Sequence, residues 1–197
     1  DGEAARAALA GVDVLLMVSA SESADRLLQH RTFIDAAAAA GVRHVVYTSF
    51  LGAAADAVFT LARTHWATEE HLRASGMGFT LLRDSFYLDF LPDLAVDGVI
   101  AGPAGTGRVG AVAREDVARA AAAVLADLAA GDRRHDGAVY ELTGPRALSL
   151  SDVAAILTAA GRPTVYRQES VEEAYASRSV YGAPDWQVDA WVSTYTA

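Results

Sequence analysis

Cysteine and lysine are both absent from this 197-residue chain. Without cysteine there is no disulfide, no thiolate nucleophile and no cysteine-ligated zinc, and the redox compartment is left open. Without lysine, all sixteen basic residues are arginine, so no Schiff base or lysine ammonium can complete a reaction from this chain alone. Positive charge is scarce as well. Sixteen arginines face 25 Asp and Glu, a net charge of −9 at pH 7, which removes the cationic surface that nucleic acid or anionic lipid requires. No uncharged apolar run reaches the roughly 20 residues that span a bilayer, and the first residues are not a basic-then-apolar secretion signal. These absences lead to the expectation of a cytoplasmic protein with neither nucleic acid nor membrane among its partners, and leave a homo-oligomer open.

What is present is a chain 52% hydrophobic, enough for one core or one core plus a small lobe. The run Val12–Val18 in "GVDVLLMVSAS" suits a strand buried on both faces of a parallel sheet. Ser21 and Ser23 are candidate caps of a helix that reaches about Ala40, where Gly41 stops it in the left-handed C′ position. "VRHVVYTS" gives a second buried strand. An amphipathic helix follows from about Thr60 to Ser75, with Leu61, Trp66 and Leu72 as its apolar positions and Gly76 at its end. "FTLLRDS" is a third strand. From Gly98 the texture changes to a glycine-punctuated extended stretch, a helix over about 115–130, the strand "GAVYELTG", a helix capped by Ser151, a last strand "TVYRQ", a "SVEEAYASR" helix and an amphipathic terminal segment with Trp186 and Trp191.

Strand–helix alternation with short links predicts right-handed parallel crossovers, whose ligands lie beyond the carboxyl ends of the strands. Those ends are Ser19–Ser21, Thr48 and Ser49, and Asp84–Phe86. Taken singly, the serines there are more simply helix caps and loop residues, but their shared place makes them candidate ligand contacts. "GPAGTG" is the one glycine cluster, and it reads as an ordinary turn because a strand-like stretch, not a helix, follows it. The five histidines show neither H-x-x-x-H nor H-E-x-x-H, so no metal site is expected. A G-x-S-x-G elbow is missing too. Periodicity alone leaves His65 a satisfied or solvated helix residue.

Four segments, "GVDVLLMVSAS", "QHRTFIDAAAAAGVRHVVYTSF", "THWATEEHLRASGMGFTLLRDSFYLDFLPDL" and "VAREDVARAAAAVL", together resemble the NmrA-like family of atypical short-chain dehydrogenase/reductases, in particular its quinone oxidoreductase and triphenylmethane reductase types. The resemblance covers nearly the whole chain and is densest from Gly11 to Leu94. It implies an α/β, Rossmann-like parallel sheet with helices on both faces and a small C-terminal α/β substrate lobe. The expected division is residues 1–98 as the second half of an NAD(P)-binding domain and 99–197 as its remaining elements interleaved with that lobe. The glycine-rich phosphate loop of the family is not in this sequence, and by the length of βα units about 60 residues would precede Asp1 to supply it. A sheet without those strands would have an unpaired edge.

The resemblance implies NADPH or NADH as cofactor and a small-molecule electron acceptor. It sets Val18, Ser19, Ala20, Thr48, Ser49, Ser85 and His65 along the cofactor and makes His65 the candidate catalytic residue. Phe86 and Tyr87 are the candidate wall for a flat acceptor. Where typical short-chain dehydrogenases carry Tyr-x-x-x-Lys, this sequence has Leu61 and His65. The implied reaction is therefore hydride transfer to a quinone or similar conjugated electrophile, which needs positioning more than a strong acid. The same loss of the acid pair fits a redox-sensing regulator that binds the dinucleotide without turning it over.

Overall fold

The computed structural model describes all 197 residues, Asp1–Ala197. Two compact units are built from interleaved segments: residues 1–56, 62–84 and 115–142 form the first, and 57–61, 85–114 and 143–197 the second.

The first unit holds a four-stranded sheet of β1 (Val14–Met17), β2 (His44–Phe50), β3 (Gly78–Asp84) and β6 (Val139–Leu142), side by side in that order. Every neighbouring pair is parallel, with His44 opposite Val14 and Gly78. Parallel strands need helical crossovers, which cover both faces, so β2 is buried continuously from His44 to Ser49, with an unbroken apolar run at Val45–Tyr47. Alternation appears instead in which side each residue packs. Val45, Tyr47 and Leu81 point toward helix α2 (Arg26–Ala40) and helix α3 (Thr60–Ala74), packing with Ile34, Ala37 and Leu72. Val46 and Leu82 point the other way, onto Ala121, Val124 and Leu128 of α4 (Arg114–Ala129). Each of these buried Leu and Ile side chains contributes about 2 kcal/mol to folding. β1 is an edge strand, partnered by β2.

Helix α2 ends as the sequence predicts: Gly41 adopts φ 85°, where a Cβ would be strained, and its N–H turns back to the carbonyl of Ala38. Its start differs. The helix begins at Arg26, later than the serine caps suggest, because Ser23 Oγ donates to Asp25 Oδ1 instead of capping. Asp25, at the N-cap, makes no side-chain cap bond.

The second unit contains the three-stranded sheet β4 (Ala95–Val96), β5 (Val99–Gly102) and β7 (Val165–Gln168) in that order. Helix α5 (Leu150–Ala159) packs Leu150, Val153 and Ala154 into its core beside Ile100. Its cap is Ser149, not Ser151. Ser149 Oγ accepts from the N–H of Asp152, and Asp152 Oδ2 accepts from the N–H of Ser149, a reciprocal box that Ser151 sits too far into the helix to form. Helices α6 (Val171–Ser179) and α7 (Asp185–Thr196) close a smaller cluster around Ala174, Val188 and Val192. The "GPAGTG" stretch is a turn, closed by the Gly107 N–H on the Ala104 carbonyl. No helix in the chain is long and apolar enough to cross a membrane.

Candidate functional site

At the carboxyl ends of β1 and β2 the buried side chains change from apolar to polar. Helix α3 buries Ala62, His65, Thr68, Glu69 and Leu72 on one stripe, so three of the five residues turned inward carry polar groups. Helix α2 does the same at its start: Arg26 and His30 are buried, one turn apart, before Ile34 and Ala37 take over. Buried polar groups require partners. Here they find them in one another.

The His65 ring lies between two of these partners. Its Nε2 is 3.0 Å from Nη2 of Arg26 and its Nδ1 is 2.9 Å from the hydroxyl of Tyr47. A guanidinium has donors and no acceptor, so Nε2 must carry the lone pair and Nδ1 the proton. The proton on Nδ1 is therefore donated to Tyr47 Oη. Phe50 stacks on the same ring, with centroids 6.0 Å apart. Burial, then the charge of Arg26, then His30 hold the His65 pKa well below its usual value, so the imidazole is neutral near pH 7. Burial likewise pushes the Tyr47 hydroxyl up, which leaves it protonated.

His30 is fixed by the same logic. The backbone N–H of Ala20 donates to His30 Nε2 at 2.9 Å, which places the ring proton on Nδ1, 2.9 Å from Thr68 Oγ1. Thr68 passes its own hydroxyl proton to the carbonyl of Thr64. Burial and the Arg26 charge depress the His30 pKa to about 4. Arg26 completes the set with a bond from Nε to the Ala20 carbonyl at 2.8 Å.

Six of the sequence-derived candidates lie in the first unit with this network. Ser19 donates its N–H to Thr48 Oγ1 at 2.9 Å, which ties the ends of β1 and β2 together. Ala20 is gripped by Arg26 and His30, and Val18 stands 66% exposed beside it. Ser49 gives its hydroxyl proton to Glu69, which also receives both Nε and Nη2 of Arg83. Val18, Ser19, Ala20, Thr48, Ser49 and His65 thus belong to the first unit. Ser85, Phe86 and Tyr87 belong to the second. There Ser85 is buried, the Phe86 ring lies 5.3 Å from that of Phe59, and Val112 bridges the backbone by donating to Phe86 O and accepting from Leu88 N.

Arg26, His30, Tyr47 and Thr68 are the members that sequence reasoning missed. The available signal was the i, i+4 spacing of Arg26 and His30, which sets both on one face of α2.

A pH dependence follows from the two neutral imidazoles. A histidine whose folded pKa lies below its unfolded value near 6.5 stabilises the fold fully above that value, and the contribution falls as pH drops toward the folded pKa. For His30, facing Arg26 on its own helix and Tyr47 and Thr68 across from it, the window runs from about pH 6.5 to about 4. The expected loss is about 3 kcal/mol, with His65 acting in the same direction. Urea unfolding at pH 7 and pH 4.5 measures it; equal stability at the two values would contradict the neutral pair.

The polar groups at this sheet end are of a kind that suits a hydroxyl-rich dinucleotide. Ser19 and Thr48 bring hydroxyls there, the Arg26 guanidinium is buried against His65 and the Ala20 carbonyl, and the buried carboxylate of Glu69 is neutralised by Arg83.

Residues 1–128 match the family model described as NAD(P)H-binding. The chain is 40% identical over 194 residues to quinone oxidoreductase 2 of Escherichia coli K12, covering 96% of this chain and 66% of that relative. It thus spans about two thirds of that relative's length. Among solved structures, an E. coli NADPH-dependent quinone oxidoreductase complexed with NADPH superposes with a TM-score of 0.83 at 37% identity, over 98% of this chain and 68% of that one. The triphenylmethane reductase of a Citrobacter species, complexed with NADP(H), gives a TM-score of 0.81 at 30% identity, over 99% and 70%.

Proposed function

The chain belongs to the NmrA-like NAD(P)H-binding family, and from that membership we propose that it is part of an NAD(P)H-dependent oxidoreductase that reduces a quinone or similar conjugated electrophile. NAD(P)H, when bound, supplies the hydride. The chain's own residues bind and orient. Ser19 and Thr48 provide hydroxyls at the strand ends, the Val18–Ala20 backbone lines the cofactor, and Ser49 and Ser85 flank it. His65 holds the floor of the site as a fixed neutral ring, and Phe86 and Tyr87 contact the acceptor.

The observation that carries this reading is the state of His65. A neutral imidazole with both nitrogens engaged has no proton to deliver quickly, and the neighbouring Tyr47 hydroxyl is fully buried. A simple ketone needs an acid in the transition state. A quinone or a cationic dye does not: hydride turns a quinone into a stable hydroquinone anion that takes its proton from solvent afterwards, and turns a cationic dye into its neutral reduced form with no proton needed. The arrangement therefore selects acceptors that are already strong electrophiles.

The test is NAD(P)H oxidation by the full-length protein against a panel of quinones, dyes and simple ketones. Expected are turnover of quinones, none of ketones, and a kcat that stays flat from pH 6 to 8. His65→Ala is expected to lower kcat/KM about tenfold, on the order of 1.4 kcal/mol, chiefly through KM for the cofactor. Tight cofactor binding with no turnover of any acceptor would favour a redox-sensing regulator. Reduction of ketones with a bell-shaped pH profile would overturn the selection argument.

A further inference from the structure

The loop that follows β1 is held by side chains rather than by sheet or apolar packing. β1 ends at Met17, Val18 is exposed, and α2 starts at Arg26 with no side-chain cap. Within this loop both polar groups of one residue, Ala20, are taken by the same helix: its N–H by His30 Nε2 at 2.9 Å and its carbonyl by Arg26 Nε at 2.8 Å. The two gripping residues are 6% and 2% exposed. Burying a guanidinium costs several kcal/mol before its partners compensate, and an aliphatic pair would pack here without that cost. The polar choice is confined to the turn of α2 beside the strand ends, since Ile34 and Ala37 follow on the same helix. Groups that are costly to bury, placed at that end alone, point to a role in fixing backbone position.

We propose that Arg26 and His30 are positioning residues that clamp the Ala20 peptide and hold the Val18–Ser21 backbone in the arrangement that receives the dinucleotide. The proposal rests on the NAD(P)H-binding reading above. Each jaw of the clamp is itself locked from α3, Arg26 by His65 and His30 by Thr68, so the loop is set before any ligand arrives. Such preorganisation raises affinity by lowering the ordering cost at binding. It requires His30 to be neutral, with Nε2 as acceptor. His30→Phe keeps the ring and loses the acceptor, whereas His30→Gln can return an amide oxygen to the Ala20 N–H.

Two measurements test the clamp. The first is amide hydrogen exchange at Ala20 in the cofactor-free wild-type protein, expected to be slowed at least 100-fold relative to the exposed amides at Ser21 and Glu22. Exchange at the rate of those neighbours would overturn the proposal whether or not any variant folds. The second is the Kd for NADPH by fluorescence titration. His30→Phe is expected to weaken binding about tenfold and to speed exchange at Ala20 without changing the amides of β2, and His30→Gln to bind within about threefold of wild type. A folded His30→Phe that binds NADPH like wild type would also overturn it. Wild-type protein that does not bind NADPH, with Ala20 still protected, would instead sink the NAD(P)H-binding reading and leave the clamp a purely structural device.

Discussion

Glu69→Ala is expected to remove about 3–5 kcal/mol of stability, the cost of leaving a buried charge without its counterpart. The carboxylate side chain is 1% exposed. It receives two parallel bonds from Arg83, 2.9 Å from Nε and 2.7 Å from Nη2, and a third from Ser49 Oγ. Such a fork holds α3 against β3 with directional bonds on a stripe that polar residues share with Ala62 and Leu72. Truncation leaves the Arg83 guanidinium, only 21% exposed, facing an empty pocket. Ser49 loses its acceptor at the same time. Glu69→Gln keeps one acceptor oxygen and is expected to lose less. Denaturant titration checks both, with the midpoint falling and the slope unchanged. A loss below about 1 kcal/mol for Glu69→Ala would mean that water replaces the carboxylate.

Gly144→Ala is the second large effect, and it arises from space rather than charge. A Cβ at Gly144 would stand 2.0 Å from the backbone carbonyl oxygen of Ala111. The two segments are held that close by the Gly144 N–H on Gly110 O at 2.9 Å. A backbone oxygen cannot swing aside as a side chain can. The 109–112 segment would have to move, and Val112 would carry with it the Phe86 and Leu88 backbone to which it is bonded on both its N–H and its C=O. The expected cost is about 3 kcal/mol. If Phe86 and Tyr87 contact the acceptor as proposed, KM for a quinone should rise about tenfold while NADPH affinity is retained. Gly110→Ala is the control, because its Cβ would meet Thr143 Cβ at an ordinary 3.5 Å. Equal effects from the two substitutions would mean that the close approach is not what matters.

The parts of the fold that could be read from sequence were those where one physical requirement dominated. β2 was legible because a strand covered on both faces carries an unbroken apolar run, here Val45–Tyr47, and Gly41 because a left-handed residue ends α2. The buried face of α3 was not legible. Leu61, Trp66 and Leu72 marked a stripe by hydropathy, yet the residues turned inward with Leu72 are Ala62, His65, Thr68 and Glu69. Polar side chains that satisfy one another inside look, residue by residue, like a solvated surface. Arg26 was hidden for the same reason, and so was the pairing of His30 with Ala20, which joins a side chain to a backbone group ten residues earlier. His65 drew notice through resemblance. Its partners required coordinates, since Tyr47 lies on β2 and Arg26 on α2.

The two imidazoles at the sheet end each keep a single hydrogen on Nδ1, directed at a buried oxygen and away from water. Ring hydrogens in such places leave slowly and resonate far downfield of the amide envelope in a proton NMR spectrum. His71, paired with Asp35 nearer the surface, has no comparable shelter. His44 and His135 are also buried and bonded through their rings, so the lines lost in Tyr47→Phe and Thr68→Ala are the ones that report, in unlabelled protein, whether α2, β2 and α3 remain stitched together.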